Sequence, residues 1–161
     1  MSIVLGIDPG TAVMGFGVVS RRADGTVSLL ECGVIRTASG RPLHERIRDV
    51  YDGVTALIER HQPLVLSVED VFVGKNVRSA LTLGHARGAI LLAASIAGIQ
   101  IAEYSPSAIK KAVVGTGKAT KDQVGFMVQK HLRLKEPPSP HDAADGVAAA
   151  LCHCMTGSFP R

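Results

Sequence analysis

Four carboxylates stand out by where they fall. Asp8 closes the first apolar run, Glu69 follows the run Leu64 to Val68, and Asp142 and Asp145 open an Ala-rich stretch near the C-terminus. Residues three apart are neighbours on one helix face, so the last two lie side by side. All four are wrapped in apolar sequence with no Lys or Arg beside them, and a carboxylate is rarely buried without a partner or a metal. A hard divalent cation such as Mg2+ is the natural counter-charge. One carboxylate shared between two ions would suit a two-metal phosphoryl-transfer centre, with ions about 3.5–4 Å apart. Each acid also has an ordinary reading: Asp8 can cap the turn at Pro9-Gly10, Glu69 can end a strand in solvent, and Asp142 and Asp145 can be first-turn acids favoured by the helix dipole. Their joint occurrence favours the metal centre.

Other patterns fail on inspection. Around Gly115-Thr116-Gly117-Lys118 a phosphate-binding loop would need Gly where Ala112 stands and Ser or Thr where Ala119 stands. Cys152-His153-Cys154 has no second ligand pair, and alternate helix residues point to different sides, so packing is the better account. His85 is read as packing too. His141, next to Asp142, is either a surface residue at a helix start or an auxiliary base or ligand. Most of Lys75, Arg78, Arg87, Lys110, Lys111, Lys118, Lys121, Lys130, Arg133 and Lys135 form a solvated face. Lys75 and Arg78 after Glu69, with Lys110, Lys118 and Lys121 flanking a glycine turn, could line a phosphate track. Phe72 is either a core residue or an apolar wedge for a base.

The elements that must position these groups belong to one domain, residues 1–161, with a core large enough for its size. At 46% hydrophobic and 20% charged the chain is globular, and without Trp its core must be aliphatic. A net charge of +4 is compatible with a polyanionic partner. Three Cys make no disulfide framework, the start lacks a signal-peptide pattern, and no apolar run is long enough to span a membrane, so a cytoplasmic location is expected. Strands are predicted at Ile3 to Ile7, Met14 to Ser20, Val27 to Ile35, Leu64 to Val68 and Gln100 to Tyr104, with a turn at Ala23-Asp24-Gly25. Between the third and fourth strands, apolar residues at Leu43, Ile47, Val50, Val54, Leu57 and Ile58 predict a helix that leaves Glu45, Arg46, Arg48, Asp52 and Glu59 to solvent. Further helices are expected at Arg78 to Ala97, after the cap Ser105-Pro106, from the Thr120/Gln123 capping box to Leu132, and from His141 to about Met155 behind Ser139-Pro140. This order argues for a mixed sheet with helices packed on it.

Five segments in register closely resemble one family. Gly6-Ile7-Asp8-Pro9-Gly10-Thr11 with Gly15-Phe16-Gly17, Val68 to Asn76, Leu83 to Gly88, Val113-Val114-Gly115 and Asp142-Ala143-Ala144-Asp145 are similar to the RuvC Holliday junction resolvases over nearly the whole chain. The resemblance implies a ribonuclease H-like α/β fold: a central mixed five-stranded sheet, three strands antiparallel, flanked by helices. It makes Asp8, Glu69, Asp142 and Asp145 an acidic tetrad for two Mg2+ or Mn2+ ions, bridged by Asp8, cutting to leave a 5′ phosphate and a 3′ hydroxyl. It places Lys110 and Lys121 near the scissile strand and Phe72 at the junction. Some relatives carry His at the position of Asp142; here His141 precedes it. The family implies a homodimer, meeting at the Gly84/Gly88 face of the Arg78 to Ala97 helix, that nicks four-way junction DNA symmetrically with the RuvA and RuvB branch-migration proteins. Two rivals are an actin-like or sugar-kinase-type ATP-binding domain, suggested by Gly-Ile-Asp-Pro-Gly-Thr but needing about twice the length, and a catalytically silent junction-binding protein.

Overall fold

The first apolar run becomes the middle strand of the sheet. The computed structural model describes residues 1–70 and 74–161. In it β1 (Ser2–Asp8) pairs antiparallel with β2 (Val13–Arg21), which pairs antiparallel with β3 (Val27–Arg36). The β2–β3 turn is the expected one: Gly25 sits at φ +88°, and Asp24 accepts from the Thr26 amide at 2.9 Å. On its other side β1 pairs parallel with β4 (Val65–Glu69), and β4 with β5 (Gln100–Tyr104), giving the order β3-β2-β1-β4-β5. Parallel neighbours need crossovers, here α1 (Leu43–His61) before β4 and α2 (Val77–Ala97) between β4 and β5.

These two helices bury Val50, Val54, Leu57, Ile90 and Ala94 against Leu5, Ile7 and Leu66 on one sheet face. On the opposite face α3 (Pro106–Val114), α4 (Lys121–Leu132) and α5 (His141–Thr156) enclose Val4 and Val65. Helix starts follow the local chemistry. Ser105 accepts from the Ala108 amide at 3.1 Å with Pro106 next to it, and Thr120 and Gln123 form the reciprocal capping box. Ser139 does not cap α5: the cap is Pro140, extended at ψ 179°, whose ring carries no acceptor.

α5 lies on bare backbone. A Cβ added at Gly15 would collide with the Asp142 carbonyl, one at Gly17 would come within 2.5 Å of the Val147 Cα, and one at Gly6 would meet Gly146 and Ala150. Gly146 answers from the helix, its own Cβ position 2.5 Å from the Phe16 Cα. The Ser67 hydroxyl, fully buried, donates to the Ala149 carbonyl at 2.7 Å and fixes the helix along the sheet. Burying Val147 and Leu151 contributes about 1.5–3 kcal/mol each.

One expectation is refined on α1 and one fails on α2. Arg46 lies on the polar side of α1 and is partly exposed, but it reaches back to the Thr11 carbonyl, with Nε 3.3 Å from the Thr37 hydroxyl, and so ties down the turn after β1. His85 is exposed rather than packed, because α2 turns only the Ala86, Ala89, Ile90, Ala93, Ala94 face inward. Among the described residues, α2 is also the one helix long and apolar enough to cross a membrane by length and composition. The Cys152 to Cys154 segment is packing, as expected. Both thiols are buried, and His153 joins the Tyr104 hydroxyl (2.7 Å) to the Ser158 carbonyl (3.0 Å).

Candidate active site

The sheet register aligns the acids. Ile7 stands beside Val68, so β1 and β4 end together, and Asp8 and Glu69 emerge from adjacent strand ends. Ligands of open α/β sheets bind at this carboxyl edge. The close seat of α5 over Gly15 then brings its first turn above Asp8. Asp8, Asp142 and Asp145 each offer an oxygen within 4.8 Å of the others, all three partly buried. Glu69 lies outside that three-carboxylate group and bears on it through Asp8, whose carboxyl it raises by hydrogen bonding and by its charge.

The electrostatics are those of crowded like charge. Burial, then the Glu69 hydrogen bond and the charges of Glu69 and Asp142, push the Asp8 carboxyl up to about 8 from an ordinary 3.8. Burial and Asp8 push Asp145 up to about 6. Opposing both is Lys121, the first residue of α4, whose ammonium lies 3.7 Å from the Asp145 carboxylate. The sequence shows no cation beside these acids; the fold supplies one. It is 72% exposed and leaves the cluster short of positive charge. Hard oxygen donors, partly dry and mutually repelling, fit a divalent cation, and together with the family they mark the cluster as a divalent-metal site.

Of the other candidates, Lys75, Arg78 and Lys118 are exposed and Lys110 is half-buried on α3. His141 is exposed at the start of α5 and outside the three-carboxylate group. Phe72 lies outside the described residues. A residue assigned to the solvated face belongs at this edge instead. Arg87 reaches from α2 to within 3.0 Å of Glu103 on β5 and 3.6 Å of Asp70, the residue after Glu69, with its side chain 17% exposed. Its setting among small residues, Gly84, Ala86 and Gly88, is the signal that could have revealed it.

The family model described as "Crossover junction endodeoxyribonuclease RuvC" matches residues 4–153. The chain belongs to the RuvC family. A RuvC of Chloroflexus aggregans is 51% identical over 152 residues, covering 94% of this chain and 92% of the relative. The solved structure of Thermus thermophilus RuvC in complex with Holliday junction substrate superposes with a TM-score of 0.91 at 36% identity, covering 96% of this chain and 94% of that one. The yeast mitochondrial Holliday junction resolvase Ydc2, 15% identical with a TM-score of 0.66 over 97% of this chain and 81% of its own, shares the fold. The mixed five-stranded sheet flanked by helices is thus the ribonuclease H-like architecture of this RuvC chain.

Proposed function

We propose that this chain resolves four-way DNA junctions in recombination and repair, as a structure-selective endonuclease that makes paired symmetric nicks. The observation that carries this reading is the convergence of Asp8, Glu69, Asp142 and Asp145 at one sheet edge, in a family whose T. thermophilus member has been solved on a Holliday junction. The four acids are the catalytic groups and would hold two Mg2+ ions, with Mn2+ as a substitute. Such ions, when bound, supply a nucleophilic water at neutral pH and stabilise the departing 3′ oxygen, leaving a 5′ phosphate. Asp8, coupled to Glu69 of β4 and grouped with the α5 pair, would hold the ions together with them and would do so as the carboxylate. Lys121 holds Asp145 in place while its exposed ammonium is free to meet a phosphate oxygen. Lys75, Arg78, Lys110 and Lys118 track the backbone, Phe72 wedges at the junction, and His141 is an auxiliary group beside Asp142.

Paired nicks need two active sites, and α2 supports a homodimer. Val77, Leu81, Gly84, Gly88, Leu92 and Ile96 form one helical stripe facing solvent; Val77, Leu81, Leu92 and Ile96 are 53–68% exposed and nothing lies over either glycine. A second copy covering this stripe by two-fold symmetry buries it and makes a membrane role unnecessary. The same reading makes RuvA and RuvB its partners and the cytoplasm its compartment. The test is cleavage of a synthetic four-way junction with Mg2+, beside linear duplex. Asp8→Asn should bind the junction and not cut it; cutting at the unsubstituted rate, or equal cutting of linear duplex, would overturn the assignment.

A further inference from the structure

At the end of the sheet opposite the carboxylates lies a cavity of about 420 Å3 lined by Arg21, Thr26, His131, Arg133 and Cys154, among others. Its position follows from register. Asp8 pairs with Gly15 and Ser2 with Arg21, so six residues of strand, about 20 Å, separate the two ends. α4 spans the same gap, with Lys121 at Asp145 and Arg133 immediately after its last residue, about 18 Å for twelve residues. Arg133 also lines a second cavity of about 500 Å3 with Phe126, Gln129, Lys130 and Leu134, where the Lys130 ammonium sits 5.2 Å above the half-exposed Phe126 ring.

The two cavities share Arg133, and the trough they make there is basic. Among the described residues no carboxylate lines either cavity, and neither Arg21 nor Arg133 takes part in an ion pair. The Arg21 guanidinium is held 5.7 Å over the Phe159 ring, an arrangement that leaves its in-plane N–H groups to meet an anion. Asp24, in the adjoining hairpin, is occupied by the Thr26 amide. Burial keeps the Cys154 thiol up at about 12, so the cavity floor is uncharged. Along α4 the only acid is Asp122, in the first turn, and the residues Phe126, Gln129, Lys130 and Arg133 toward its other end bring no negative charge.

We propose that this trough is a second phosphate-contact site, gripping one duplex arm of the bound junction about six base pairs from the scissile phosphate, the number that spans 20 Å at 3.4 Å per nucleotide. The inference rests on the junction-nuclease reading and adds to it a contact at the far end of α4 from Lys121. A phosphodiester backbone fits better than an acidic peptide because, on that reading, the chain already holds DNA at the catalytic edge one strand length away.

The experiment measures binding, without divalent metal, to junctions with arms of about five base pairs closed by hairpin loops and to junctions with arms of about fifteen, a pair that brackets the six-base-pair distance. Arg21→Gln/Arg133→Gln should flatten the log–log salt slope on the long-armed junction by about 1.8, so that between 50 and 200 mM salt the unsubstituted protein loses about twelvefold more affinity than the variant. On the short-armed junction the two slopes should coincide, and Arg21→Lys/Arg133→Lys should keep the steep slope on long arms. A slope unchanged by the Gln pair, or flattened equally by the Lys pair, overturns the proposal. Failure of the unsubstituted protein to prefer either junction over linear duplex would instead overturn the reading on which it rests.

Discussion

Asp8→Asn should make the metal-free protein more stable while destroying its activity. Asn keeps the size and hydrogen-bonding reach of Asp and removes only a charge that its surroundings oppose. In the folded chain Asp8 takes its proton at about 8, against 3.8 for an ordinary Asp, so the native state binds that proton more tightly than the unfolded state does. Stability from this group is therefore greatest at low pH and is lost as pH rises from about 4 through 8, the reverse of a salt-bridged carboxylate. At about 1.4 kcal/mol per unit, the rise has a ceiling of about 5–6 kcal/mol. Asp8 is only partly buried and shares its titration with Glu69, so about 2–3 kcal/mol is the working figure, or roughly 5–10 °C in Tm for a domain of this size. Thermal unfolding in EDTA should show Asp8→Asn gaining that amount at pH 8 and much less at pH 5. Saturating Mg2+ should close the gap by stabilising the unsubstituted chain, by about 2.7 kcal/mol at a hundred times Kd. A variant no more stable than the parent in EDTA at pH 8, or equally stabilised at both pH values, would refute the crowded-acid argument.

Lys121→Gln removes the cation 3.7 Å from Asp145, so the Asp145 midpoint in the metal-free protein should move above 6; carboxyl-detected NMR titration checks this, and an unmoved midpoint would detach Lys121 from the site. Gly15→Ala places a methyl against the Asp142 carbonyl and should cost more than about 2 kcal/mol in Tm-derived stability together with most cleavage, since α5 must lift from the sheet. Leu81→Glu/Leu92→Glu puts charge on the α2 stripe and should leave a folded monomer by sedimentation that nicks one strand without resolving the junction; a stable dimer would move the interface elsewhere.

The elements were largely legible because their signals are local. Apolar runs, capping residues and Pro positions place strands and helices to within a residue or two, as with the Thr120/Gln123 box. The four acids were legible for a related reason, since each ends a strand or begins a helix whose burial the sequence already implies. What stayed hidden depends on tertiary distance. Arg87 reads as one more surface cation until α2 is laid beside β5, and Arg46 falls on the polar arc of α1 yet finds the Thr11 carbonyl 35 residues back along the chain. Lys121, which the family resemblance places near the scissile strand, is 24 residues from Asp145 in sequence, and the packing of α4 beside α5 adds that its ammonium pairs with that carboxylate.

The glycines show why the site needs this fold rather than merely these acids. Gly15 and Gly17 are letters in a motif until α5 is seen to rest on them, and Gly146 completes the contact from the helix side. With side chains at these positions the helix would stand further from the sheet, and Asp142 and Asp145 would rise away from Asp8. The oxygens could then no longer lie within 4.8 Å of one another, and Asp8 would lose part of the repulsion that holds its proton. The close helix and the raised affinity for a proton have one cause: the packing that assembles four carboxylates for a cation also makes them unfavourable without one. Stability of the metal-free chain and strength of metal binding should therefore change in opposite directions across substitutions that move α5, with larger residues at Gly146 relieving the acids as they weaken the site.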